Sequence, residues 1–208
     1  MNEQIITSES FASFEDYYRN GQLSHFVQEH RRGGSFQVAM MLLEQEAGEF
    51  VDPPIDEFGI TAILSDVCCA DLNFGDGWAG KKNYYRGCVG PQPALRDCGF
   101  RILDDHKLLA VTVPNQIVTE QLNRSDIRND PFEPMYGRFA HSTRQLYLMN
   151  AIWEAMESGG PANNLLIDGL FAALLGFMLK GDDQRLFARV PDIENRQLAK
   201  VIDYIEAH

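Results

Sequence analysis

Residues 35–114 place the strongest limit on what this chain can become. Glycine and proline break their apolar residues into short pieces, and no long helix alternates with them. Residues 36–43 form an apolar run with β-formers at its start, a buried strand or a short helix that periodicity does not separate. Pro53 and Pro54 forbid a helix and pre-set an extended or turn conformation. Residues 59–64 read as a strand, and shorter β-like pieces follow at 70–74, 84–85, 98–103 and 108–113. The turns between them carry Gly75 and Gly77, Gly87, Gly90 with Pro91, and Asp104 with Asp105. Many short strands with such turns favour a sandwich or barrel over a parallel α/β sheet.

After Pro114 the period becomes helical. Ile117, Val118, Gln121 and Leu122 mark a short helix, which the prolines at 131 and 134 break. Leu146, Met149, Asn150 and Trp153 give an amphipathic helix over 142–157, closed by Gly159, Gly160 and Pro161. A second helix is expected over 162–180, with Gly181 as its C′ residue. It is apolar around most of its circumference and needs two apolar neighbours. It is either a central core helix or a helix with one face on the sandwich and the other on a second subunit. The candidate interface residues are Leu166, Leu170, Phe171, Leu174, Phe177 and Met178.

A polar linker begins at Gly181. Leu198, Val201, Ile202 and Ile205 then form one face of a last helix that reaches the end of the chain at His208 without a stop signal. Residues 1–34 are mixed and polar. Phe14, Tyr17 and Tyr18 there have the spacing of a short helix, and Gly33 with Gly34 reads as a turn. The chain thus divides into an arm and β region (1–114), a helical region (115–180), and a linker with a terminal helix (181–208).

The 208 residues are 45% hydrophobic, enough for a real core. A net charge of −12 argues against nucleic-acid binding by these residues themselves, because phosphate attraction supplies most non-specific affinity. The N-terminus lacks the basic and apolar regions of a signal peptide, and the apolar run 165–179 carries Asp168 and is short for a bilayer. The expectation is a soluble, cytoplasmic protein with no membrane partner. Cys68, Cys69, Cys88 and Cys98 have no metal-type spacing and read as reduced thiols; on a strand, Cys68 and Cys69 would face opposite ways.

Chemistry-bearing motifs are sparse. Of the five histidines only His106 lies in the β region, where it reads as a turn residue, so no metal or other cofactor is expected. No nucleophile elbow or phosphate-binding glycine loop occurs, and no catalytic residue is assigned. What remains is a candidate ligand pocket from Trp78, Tyr84, Arg86, Arg96 and Arg101, in or beside the predicted strands. An inward arginine there would suit a carboxylate or a sugar hydroxyl.

Residues 198–208, Leu-Ala-Lys-Val-Ile-Asp-Tyr-Ile-Glu-Ala-His, resemble the opening helix of the DNA-binding domain of AraC/XylS-type transcriptional regulators. The likeness continues in residues 53–57 (PPIDE), 85–90 (YRGCVG), 108–114 (LLAVTVP) and 130–132 (DPF), and in Asp168 with Gly169. It covers roughly residues 50–208 and departs from the family at Gly90 to Pro93, which sits where the family usually turns toward a Gly/Pro-rich stretch preceding the barrel's later strands, so the resemblance does not fix the strand register there. The resemblance implies an α+β fold: a cupin-like jelly-roll β-barrel, two antiparallel helices, and a truncated terminal helix. It further implies a small-molecule effector, homodimerisation through the two helices, and DNA contact only through a helix-turn-helix domain absent from these residues. The other readings are a stand-alone cupin-like enzyme and a protein-binding module.

Overall fold

The computed structural model describes residues 11–122 and 130–180. The linker and terminal helix expected over 181–208 lie outside the described residues. Ten strands run in chain order: β1 (Val27–Gly33), β2 (Val38–Gln45), β3 (Gly48–Asp52), β4 (Glu57–Ile63), β5 (Val67–Asn73), β6 (Lys82–Tyr85), β7 (Cys88–Gln92), β8 (Cys98–Ile102), β9 (His106–Pro114) and β10 (Ala140–His141). Four helices accompany them: α1 (Phe14–Asn20), α2 (Asn115–Gln121), α3 (Thr143–Ala155) and α4 (Pro161–Lys180).

All strand pairs are antiparallel. One sheet has the order β1-β2-β9-β4-β7-β10 and the other β3-β8-β5-β6. Without its flanking strands β1 and β10, the larger sheet reads β2-β9-β4-β7. Eight strands in these two orders make a jelly roll, the architecture of cupin barrels.

The larger sheet is buried on both faces, which explains why its strands read as continuous apolar runs. Val38, Met40, Phe58, Ile60, Val111 and Val113 face outward and pack under α3 and α4, against Met149, Ile152, Phe171, Leu174 and Leu175. Met41, Leu43 and Leu108, on the opposite parity, face the barrel interior with Phe14 and Tyr18 of α1. The run at 36–43 is therefore a strand, and Cys68 is buried while Cys69 is half-buried, as alternation requires.

Two turn assignments change. Gly90 and Pro91 lie inside β7, opposite Thr61 and Ile60. Beyond Val89, β7 has β4 as its single neighbour, so proline is tolerated at this local edge. Gly90 is needed because a Cβ would fall 1.9 Å from the Phe139 ring. His106 is the first residue of β9, not a turn residue.

α4 is fixed to the sheet by a polar clamp. Asp168 accepts from the Ser35 backbone N–H at 3.0 Å, the Phe36 N–H at 3.1 Å and the Ser35 hydroxyl, so this carboxylate in an apolar helix caps the β1–β2 turn. Gly34 in that turn has φ +77° and donates to Asn164 Oδ1. At 20 residues, α4 is long and apolar enough to cross a membrane by length and composition, which the run 165–179 alone did not indicate. Here its Phe171 face is core and Asp168 is engaged with the turn.

Candidate functional site

Strand parity decides what faces the space between the sheets. Phe50 and Asp52 of β3 oppose Phe100 and Cys98 of β8, and Cys68, Ala70 and Leu72 of β5 continue the same face. From the larger sheet come Thr61 and Ile63 of β4, Gln92 of β7, and His106, Leu108, Ala110 and Thr112 of β9. All of these but Phe50 and Cys98, together with Phe14 and Tyr18 of α1, line a cavity of about 60 Å³ that is mostly apolar. That is room for a few water molecules or a small group.

Its polar inventory is small. Asp52 is 2% exposed. Its Oδ1 accepts from the Tyr18 hydroxyl and its Oδ2 from Gln92 Nε2, both at 2.9 Å. Burial pushes its carboxyl up to about 6, with the Gln92 and Tyr18 hydrogen bonds pulling the other way. Glu57, at the start of β4, accepts from the Phe14 N–H at 2.8 Å, and burial raises its carboxyl too. Tyr17 donates to the Val51 carbonyl at 2.8 Å. Helix α1 is thus held by two buried carboxylates and a backbone carbonyl, and its Phe14 and Tyr18 form part of the cavity wall.

His106 is 6% exposed, and its Nδ1 is buried with no hydrogen bond of full geometry among the described residues. Burial holds its imidazole below the usual range, toward the neutral form, with a backbone hydrogen bond to Asp104 and the charges of Asp105 and Asp104 pulling the other way. His106 and Gln45 also line a more open groove of about 400 Å³ with His25, Glu44, Ser65 and Lys107. These two side chains stand between the groove and the barrel interior.

The predicted pocket residues divide. Tyr84 lines the cavity, and burial pushes its phenol up to about 12. The others do not. Arg101 alternates outward from Phe100, stacks 3.7 Å above the Trp78 ring and pairs with Glu49 at 3.2 Å on the outside of the smaller sheet. Arg86 pairs with Asp66 at 3.2 Å, and Arg96 with Glu133 at 3.5 Å, both exposed. Among the described residues no arginine or lysine lines the barrel interior, so none of Arg86, Arg96 and Arg101 supplies the expected inward guanidinium for a carboxylate. Asp52 and Gln92 carry no signal in the sequence because each stands beside a proline that reads as a turn, Pro53 and Pro93, and His106 reads as a turn residue because it follows Asp104 and Asp105.

Among the described residues, no three histidine, cysteine, aspartate or glutamate side chains converge as metal ligands would. The donor set therefore does not fit the metal that many cupin barrels hold. On α4, Phe171, Leu174 and Met178 are buried against the sheet, so they are not available to a second subunit. Leu170 and Phe177 are half-buried and Leu166 is exposed.

The strand order and the enclosed barrel define a cupin-type jelly-roll domain with added helices. Solved structures similar to parts of it include the Clostridium difficile EutQ protein, at 15% identity and a TM-score of 0.31. That match covers 38% of this chain and 57% of EutQ, so it spans little more than half of that protein. The Schizosaccharomyces pombe Cnp3 cupin domain is similar at 16% identity and a TM-score of 0.32, over 50% of this chain and 78% of that one. A predicted oxalate decarboxylase from Thermotoga maritima is similar at 18% identity and a TM-score of 0.27, over 38% and 65%. No protein-family profile matches the chain, and no curated protein is similar to it.

Proposed function

We propose that this chain is the ligand-sensing and dimerisation part of an AraC-type transcriptional regulator, working in the cytoplasm and controlling DNA binding by a helix-turn-helix domain outside these 208 residues. The observation that carries the sensor reading is the way the cavity is closed. One of its walls is α1, a short N-terminal helix held to the barrel by Glu57, Asp52 and the Val51 carbonyl. A ligand in the barrel touches that helix directly. Its occupancy can therefore bias where the arm sits by as much as its affinity differs between the two arrangements.

A reporter assay tests this. The chain is fused to a DNA-binding domain that represses only as a dimer, and small metabolites are screened in parallel by thermal shift on the purified chain. Repression that changes with a metabolite that also stabilises the chain supports the reading. A fusion that never represses, with a purified chain that stays monomeric, would remove it. Native-state stabilisation follows RT ln(1 + [L]/Kd), about 2.7 kcal/mol at a hundredfold excess, which shifts the melting temperature by a few degrees.

A further inference from the structure

We propose that the barrel interior selects small ligands that present a hydrogen-bond-donating, preferably cationic, nitrogen to Asp52 on an apolar body, and rejects carboxylates and phosphates. This rests on the barrel being a ligand site. Asp52 is enclosed, and its two visible partners, Tyr18 and Gln92, are neutral donors. A carboxylate offers about four lone-pair sites, so each oxygen keeps one for a further donor. Among the described residues no cation pairs with it, and no lysine or arginine lines the cavity.

The second observation is independent of Asp52. His106 lines the same cavity, almost wholly buried; the Asp104 backbone acts on its ring, but Nδ1 has no hydrogen bond of full geometry. An unpaired buried polar atom costs free energy that a ligand hydroxyl or amine would return. Met41, Leu43, Leu72 and Leu108 supply the apolar wall for a hydrocarbon body.

Charge then decides the class. An anion beside Asp52 would place two like charges in a low-dielectric interior with no counter-ion. An ammonium group would form a charge-assisted hydrogen bond there and supply the missing charge. Burial raises the Asp52 carboxyl only to about 6, so it is largely ionised at neutral pH and can fill this role.

Three probes of one shape test the proposal: n-butylamine, n-butanol and butyrate, titrated into the 208-residue chain and followed by NMR of the methionine and leucine methyl groups. At a pH of about 7.5, butylamine should bind about tenfold or more tighter than butyrate, the difference expected for one charge-assisted contact. Asp52→Asn should remove the advantage of butylamine over butanol. If that variant fails to fold, the pH series on the unaltered chain decides: the advantage should shrink at a pH of about 5, where Asp52 holds its proton. The titratable groups that act on Asp52 are Tyr18 and Tyr17 of α1 and Cys98 of β8, all pushed upward and neutral across this range. His106 also lines the cavity and is held toward its neutral form. Butyrate binding as well as butylamine, or an advantage that survives both Asp52→Asn and acid, would overturn the assignment while leaving the barrel a ligand site. Failure of all three, and of ethylamine, ethanol and acetate as the shorter set suited to a cavity of about 60 Å³, to shift the barrel methyls would remove the ligand site itself.

Discussion

At the residue scale, Asp52 should leave a signature in stability. Its carboxyl binds a proton more tightly folded, with a pKa of about 6, than at the ordinary value of 3.8. Folding therefore takes up a proton between these values. The contribution of Asp52 is greatest below the unfolded pKa and is lost as pH rises through about 6. Two pKa units correspond to at most about 3 kcal/mol. Glu57, also raised, acts in the same sense, and His106, held low, in the opposite one. The difference between the unaltered chain and Asp52→Asn isolates the one group. Urea unfolding should show the two converge in relative stability toward neutral pH, with the aspartate form gaining on acidification. A difference that does not change with pH would mean that the Asp52 pKa is the same folded and unfolded, and one that keeps changing well above a pH of about 6 would mean that Asp52 stays uncharged inside the barrel. None of this was legible in the sequence. Asp52 precedes two prolines and reads as loop punctuation, and only its pairing with Cys98 across β3 and β8 turns it inward. The arginines failed for the converse reason. A residue type suited to a ligand was visible, but the face it takes depends on strand parity, and Arg101 lies one residue from the inward Phe100.

At the scale of elements, the helical half was the more readable, since a 3.6-residue period survives burial of one face. α3 begins where Ser142 caps it, accepting from the Gln145 N–H at 3.2 Å, and α4 matches the expected apolar segment to within a residue. The strands were harder where both faces are buried, because alternation disappears. What joins the two halves is the clamp between Asp168 and the β1–β2 turn. Asp168→Ala would leave the Ser35 and Phe36 N–H groups unpaired and should cost about 2–4 kcal/mol. Gly34→Ala places a Cβ 2.3 Å from Asp168 Oδ1 at a positive φ, and should cost a similar amount. Because the clash is with the carboxylate itself, the two losses should not add. In the Asp168→Ala background, Gly34→Ala should cost less, keeping the backbone strain of about 1–2 kcal/mol and the contact of its Cβ with Ile167 Cγ2 at 2.9 Å. Additive losses in denaturant unfolding would place the clash elsewhere.

On the whole-molecule scale, α4 carries two populations of apolar side chain with different jobs. Ile167, Phe171, Leu174, Leu175 and Met178 are spent on the sheet, and Phe171→Ala should cost about 3–5 kcal/mol without changing what the surface offers. Leu165 is 76% and Leu166 51% exposed, and Tyr147 on α3 is 71% exposed. Gly169 and Gly176, between or beyond them on α4, have nothing within 4 Å of a built Cβ, so another helix can approach this side closely. If the proposed dimer uses this side, a two-fold axis makes each substitution count twice. Leu166→Asp and Gly169→Leu should each weaken the dimer by about tenfold or more while leaving the melting temperature of the monomer nearly unchanged, read by sedimentation across a concentration series. Salt supplies a test that needs no variant. Two copies each bring a net charge of −12, and an apolar contact has no ion pairs to lose to screening. Raising ionic strength should therefore tighten this dimer, by relieving repulsion between the like-charged bodies. A dimer that loosens with salt would be held by charge pairs, and its interface would lie away from the apolar side of α4.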